Sequence, residues 1–135
     1  MPRKSDGWSF DWDGHRKTTK NELFALIIHE NSSTTLEGLL SLRCESGFLI
    51  MDLLEVAPHN LGHENKRYDY VAGCLVAFAC SGSFLSGGDY FGFLSFTSKT
   101  KLMPYYQKKY GATPSFGQRM YIDPMAGRNL IQKYL

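Results

Sequence analysis

Residues 49–56, Leu49-Ile50-Met51-Asp52-Leu53-Leu54-Glu55-Val56, form an apolar run that stops at Ala57-Pro58. A polar segment with Gly62, Lys66 and Arg67 follows. The chain then enters Val71-Ala72-Gly73-Cys74-Leu75-Val76-Ala77-Phe78-Ala79. This succession predicts a strand, a loop and a buried helix. The strand is apolar at nearly every position, so both its faces should be covered and it should lie centrally in a sheet. A helix opening from such a loop offers free backbone N–H groups and the positive end of its dipole, a seat for an anion.

The flanking segments complete a mixed sheet. Residues 23–28 read as a strand ended by the turn cluster His29-Glu30-Asn31-Ser32-Ser33. Residues 35–44 read as a second strand, with Gly38 suggesting a bulge, and Glu45-Ser46-Gly47 as a hairpin turn into the run at 48–56. The helix spans from Arg67 or Tyr70 to about Phe84, and Gly87-Gly88 reads as a linker after it. Residues 90–96 form another strand. A helix capped by Ser98 or Thr100 tolerates Pro104 in its first turn and ends at Gly111. Residues 116–122 form a last strand, and Asp123 caps a helix over 124–134. The order β-β-β-α-β-α-β-α is a meander leading into a βαβ unit, hence an α/β fold.

A chain of 135 residues predicts one domain, 1–135, with a polar arm at 1–20 in which Trp8, Phe10 and Trp12 alternate as an edge strand would. The net charge of +2 carries no electrostatic footprint for nucleic acid or a membrane surface. The longest apolar runs fall far short of a membrane span. Cys44, Cys74 and Cys80 form no CxxC pair, and residues 1–20 show no apolar leader, so reduced thiols and a cytoplasmic location are expected. His59 and His63 are four residues apart beside Glu64, but in a segment that reads as loop, so no metal site is expected.

Three segments resemble the GNAT superfamily of acyl-CoA-dependent N-acetyltransferases. Leu54-Glu55-Val56-Ala57-Pro58 is similar to the end of the family's fourth strand. Leu75-Val76 and Ala79 set a register that makes residues 67–72 the acyl-CoA loop, with Tyr70 in its first glycine position and Gly73 close behind. Tyr105-Tyr106-Gln107-Lys108-Lys109-Tyr110-Gly111-Ala112 is similar to the family's late aromatic helix segment. The resemblance implies a mixed, mostly antiparallel central sheet with a βαβ acyl-CoA-binding core. It also implies a shortened N-terminal part, since 1–20 leaves little room for the family's first strand and two helices.

Acetyl transfer to an amine needs the amine deprotonated, the carbonyl oxygen stabilised and the thiolate protonated. By resemblance, Glu55 is the general base; the bland reading is a strand-end carboxylate turned to solvent or paired with an arginine. Asp52, three residues earlier on a strand, should point to the opposite face. Tyr106 is the expected acid, with Tyr105 next in register, against a purely packing role for this aromatic face. Arg67 and the N–H groups of Tyr70, Val71, Ala72 and Gly73 should hold the pyrophosphate, with Lys66, Lys99 and Lys101 near the remaining phosphate. The N–H groups of Glu55 and Val56 should face the acetyl or pantetheine carbonyls.

The implied function is acetyl-CoA-dependent N-acetylation of a primary amine, on a small molecule or protein, by direct attack in a ternary complex. Acetyl-CoA is the co-substrate and no metal is involved. The alternative is a GNAT-like binding or interaction module without turnover. A toxin-like transferase acting on charged tRNA would need the RNA footprint that the near-neutral charge lacks. A homodimer through Trp8, Trp12 and Tyr121 is one expectation for the aromatics; covering the chain's own core is the other.

Overall fold

The computed structural model describes residues 1–60, 65–85 and 88–135, so Gly62, His63, Glu64 and Gly87 lie outside the described residues. The arm does not form a strand. A 3-10 turn at Lys4–Asp6 leads to helix α1 (Trp12–Thr18), capped by Asp11, whose carboxylate accepts the Gly14 N–H at 3.2 Å. Trp8 precedes α1 and Trp12 opens it, and both are buried. They pack with Leu39 and Ala57 in a small second core, so they cover this chain's own sheet.

Three antiparallel strands follow, β1 (Glu22–Glu30), β2 (Ser33–Glu45) and β3 (Phe48–Val56). Ser46 and Gly47 both have positive φ, as a two-residue hairpin turn requires. Helix α2 (Asn65–Ser83) then crosses to β4 (Leu94–Thr97), which runs parallel to β3. A 3-10 turn at Thr100–Leu102 opens α3 (Met103–Tyr110), with Pro104 in its first turn and Gly111 as its left-handed cap. The short β5 (Thr113–Pro114) and β6 (Arg119–Ile122) precede α4 (Pro124–Tyr134), which Asp123 caps by accepting the Ala126 N–H.

The sheet order is β1-β2-β3-β4-β6-β5, with β3 central as its apolar pattern requires. The main core lies under α2 and joins Leu40, Leu42, Leu49 and Val56 of the meander to Leu94, Phe96, Met120 and Ile122. Helix α4 packs on α2 rather than on the sheet. A Cβ on Gly73 would fall 2.2 Å from the Tyr134 ring, so the glycine is where α4 closes on α2. No described helix is long and apolar enough to cross a membrane.

Two bulges break the alternation of the meander. Between β1 and β2 the register skips Glu37, and between β2 and β3 it skips Asp52. A bulge puts two consecutive residues on one side of the strand and re-aims a side chain. Glu37 therefore shares the α2 side with Gly38, one position away from where the sequence suggested the irregularity.

Candidate functional site

Strands β3 and β4 pair only over residues 49–51 and 94–96 and then part. A cavity of about 270 Å³ opens at this fork. One wall is residues 51–54 of β3, the other Phe96 and the turn through Thr97, Ser98 and Lys99. Tyr68, Ala72 and Val76 come from α2, Tyr105, Tyr106 and Tyr110 from α3, and Phe10 from the arm. The first described turn of α2, which holds Tyr68, adjoins the cavity.

The tyrosines form a continuous aromatic lining. Tyr106 meets Phe96 edge-on at 5.4 Å between ring centres, Tyr105 at 5.4 Å and Tyr110 at 6.1 Å. Burial, with Tyr68 and Tyr105 adding to it, raises the Tyr106 phenol above its ordinary pKa. Burial likewise raises Tyr68, to which the charge of Glu55 contributes. Both phenols therefore stay protonated at neutral pH. The family register places Tyr68 in the loop, whereas it lies on α2. The helical spacing of Tyr68, Ala72 and Val76 was the signal that places it on one face.

Glu55 lies beyond the part of β3 that lines the cavity, and its carboxylate is held by the arm. It accepts the backbone N–H groups of Ser9 and, at 3.1 Å, Phe10, and the Trp12 indole N–H at 2.9 Å. Val56 ends β3 with its side chain in the main core. Asp52 does line the cavity. The bulge places it on the same arm side as Glu55, not the opposite face that simple alternation predicts. It accepts from Asn21 Nδ2 and Arg43 Nε, each at 2.7 Å.

The residues expected to form the phosphate loop are already helical. Since α2 is helical over Asn65–Ser83, the N–H groups of Tyr70, Val71, Ala72 and Gly73 bond within the helix. Tyr70 is exposed on the helix surface, whereas Val71 and Ala72 are buried. Gly73 serves the Tyr134 contact.

Arg67 is turned to the protein. It donates from Nε to Asn60 Oδ1 at 2.9 Å and from Nε and Nη2 to Glu37 Oε1. His59 Nε2 lies 3.0 Å from Glu37 Oε2. Glu37 is fully buried; burial pushes its pKa up, but the bonds from Arg67, His59 and Asn60 outweigh it and hold the carboxyl below its ordinary value. This cluster ties the chain after β3 to the start of α2. Among the described residues no group of three His, Cys, Asp or Glu is placed to hold a metal. Burial pushes the Cys80 thiol up to about 12, which makes it inert core.

Among solved structures, the chain resembles one in the crystal structure of the KacTA–DNA complex, with a TM-score of 0.59 at 13% identity over 88% of this chain and 78% of that one. It also matches Tetrahymena GCN5 with a TM-score of 0.44 at 15% identity, over 76% and 69% of the two chains. The fold is GNAT-like, a mixed α/β fold around a six-stranded, mostly antiparallel sheet. No protein-family model and no curated protein matches the chain.

Proposed function

We propose that this chain binds an acyl-CoA, acetyl-CoA foremost, at the fork between β3 and β4 and transfers the acyl group to a primary amine. The observation that carries this reading is the fork itself: a parallel strand pair that parts over a tyrosine-lined cavity beside the first described turn of α2. A narrow apolar slot suits a pantetheine arm. Lys66 and Lys99, nearby in the chain or the lining, suit the phosphates.

In the proposed reaction the amine lone pair attacks the thioester carbonyl carbon. The C–N bond forms, the C–S bond breaks, and the amine proton passes to water in the cleft. Tyr106 donates its phenolic proton to the leaving thiolate and regains one from solvent; its raised pKa keeps that proton available. Tyr105, beside it and more exposed, supports the ring. Asp52, the carboxylate in the cavity wall, attracts the acceptor as its ammonium form before it is deprotonated. Glu55, already accepting three N–H bonds, is assigned to holding the arm rather than to proton abstraction. The arm in turn contributes Phe10 to the cavity, so the acceptor meets a wall made by the arm.

Calorimetric titration with acetyl-CoA and with desulfo-CoA tests the binding half. Saturable binding of both, followed by thiol release with a panel of amines, is the expected result. No affinity for either ligand overturns the reading. Binding with no turnover on any amine leaves the chain as an acyl-CoA-binding module.

A further inference from the structure

The two edges of the sheet differ. The β5 edge is two residues long and ends in Pro114, a residue without an N–H to offer. The β1 edge is nine residues long, and its interior, residues 23–28, has no charge, proline or glycine. The bulge that disturbs the β1–β2 ladder sits on β2 at Glu37, so β1 itself is uninterrupted. Among the described residues no backbone–backbone hydrogen bond outside that ladder involves residues 22–30. An edge of this kind is a template for another strand.

We propose that β1 pairs antiparallel with β1 of a second copy about a two-fold axis at Ala25, making one sheet continuous through a dimer. Two-fold antiparallel pairing sets one residue opposite itself, and the charges select which. Centred on Ala25, the pairing sets Lys20 opposite Glu30 at both ends, and both residues are exposed. Centred on Leu26, it would set Glu22 opposite Glu30, which repels. The Ala25 register also sets Phe24 against Leu26 on the α2 side of the sheet and Leu23 against Ile27 on the other. Ile27 is 44% exposed on one face, and Phe78, packed on Phe24 at 4.9 Å, is 39% exposed on the other, so apolar surface borders the edge on both faces. A self-complementary strand with matching end charges fits a second copy of this chain.

Sedimentation velocity over a micromolar concentration series tests the pairing. A reversible dimer is expected. Lys20→Glu and Glu30→Lys each turn two attractive pairs per dimer into repulsive ones and should weaken the dimer roughly tenfold. The double variant should restore it, and Ile27→Lys should abolish it. Circular dichroism and thermal unfolding confirm that the variants are folded. A wild-type chain that stays monomeric throughout overturns the proposal, as does a dimer that is indifferent to both single charge reversals; strand addition by a different protein's peptide would show as the first of these.

Discussion

The indole N–H of Trp12 donates at 2.9 Å to Glu55, a carboxylate 43 residues later in the chain. Two backbone N–H groups of the arm, from Ser9 and Phe10, converge on the same carboxylate. Glu55 thus holds residues 9–12 against β3, and the buried Trp8 and Trp12 rings seal the contact. Phe10 reaches the cavity wall because its neighbours are fixed in this way.

Replacing Trp12 by Phe removes one charge-assisted bond and should cost about 1–3 kcal/mol, read by urea unfolding. Glu55→Gln should loosen the arm, seen as faster proteolysis near Arg16 and Lys17, while acetyl transfer persists. Turnover that collapses in Glu55→Gln with unchanged stability would return Glu55 to the role of base.

Tyr106→Phe should lower kcat by roughly 10²-fold with little change in acetyl-CoA affinity, because a proton donor is lost and the ring stays. The acid must be protonated to act, and its pKa is raised, so any alkaline loss of turnover due to Tyr106 should fall above about pH 10. A limb below that value which vanishes in Tyr106→Phe would contradict the environment described for this phenol.

Glu37 makes stability depend on acid pH. Its folded pKa lies below the unfolded one, so its ionised form stabilises the fold above the unfolded carboxylate value, about 4.3, and the contribution is lost as pH falls through the folded value. Urea unfolding should show wild type losing stability below about pH 4.3 more steeply than Glu37→Gln. At neutral pH that variant should be less stable by about 1–3 kcal/mol, since Arg67 and Asn60 lose a charged acceptor.

Gly73→Ala should destabilise by about 1–3 kcal/mol through overpacking against Tyr134, and much less in a Tyr134→Ala background. Tyr70→Ala should leave acetyl-CoA affinity unchanged, because the Tyr70 N–H bonds within α2 and its side chain is exposed. Affinity lost in Tyr70→Ala at unchanged stability would place the phosphate seat further along the helix.

Much of the fold was legible because local patterns coincide with it. The apolar run at 48–56, the Ser46-Gly47 turn, the Gly111 stop and the Asp123 cap each act within a few residues, and each is where the pattern puts it. The arm was misread because Trp8 and Trp12 also fit a period of two; Asp11 as a helix cap was the overlooked sign. Arg67 as a start lies within two residues of the described helix, whereas the family register places residues 67–72 in a loop; Gly73 answers a packing demand from Tyr134 of α4.

The sequence by itself determined the β-β-β-α meander from β1 to α2, the helices capped at Gly111 and Asp123, the central place of β3 and the burial of α2. These follow from hydrophobic periodicity and from backbone preferences that neighbouring residues settle among themselves. Only the tertiary structure decided where the carboxylates point and what they hold. Bulges at Glu37 and Asp52 arise where strands of unequal path are paired, and they shift every later side chain to a different face. The donors to Glu55 and the Glu37 partner of Arg67 lie tens of residues away, and an ion pair or a three-donor clasp exists only once the chain has folded to bring them together.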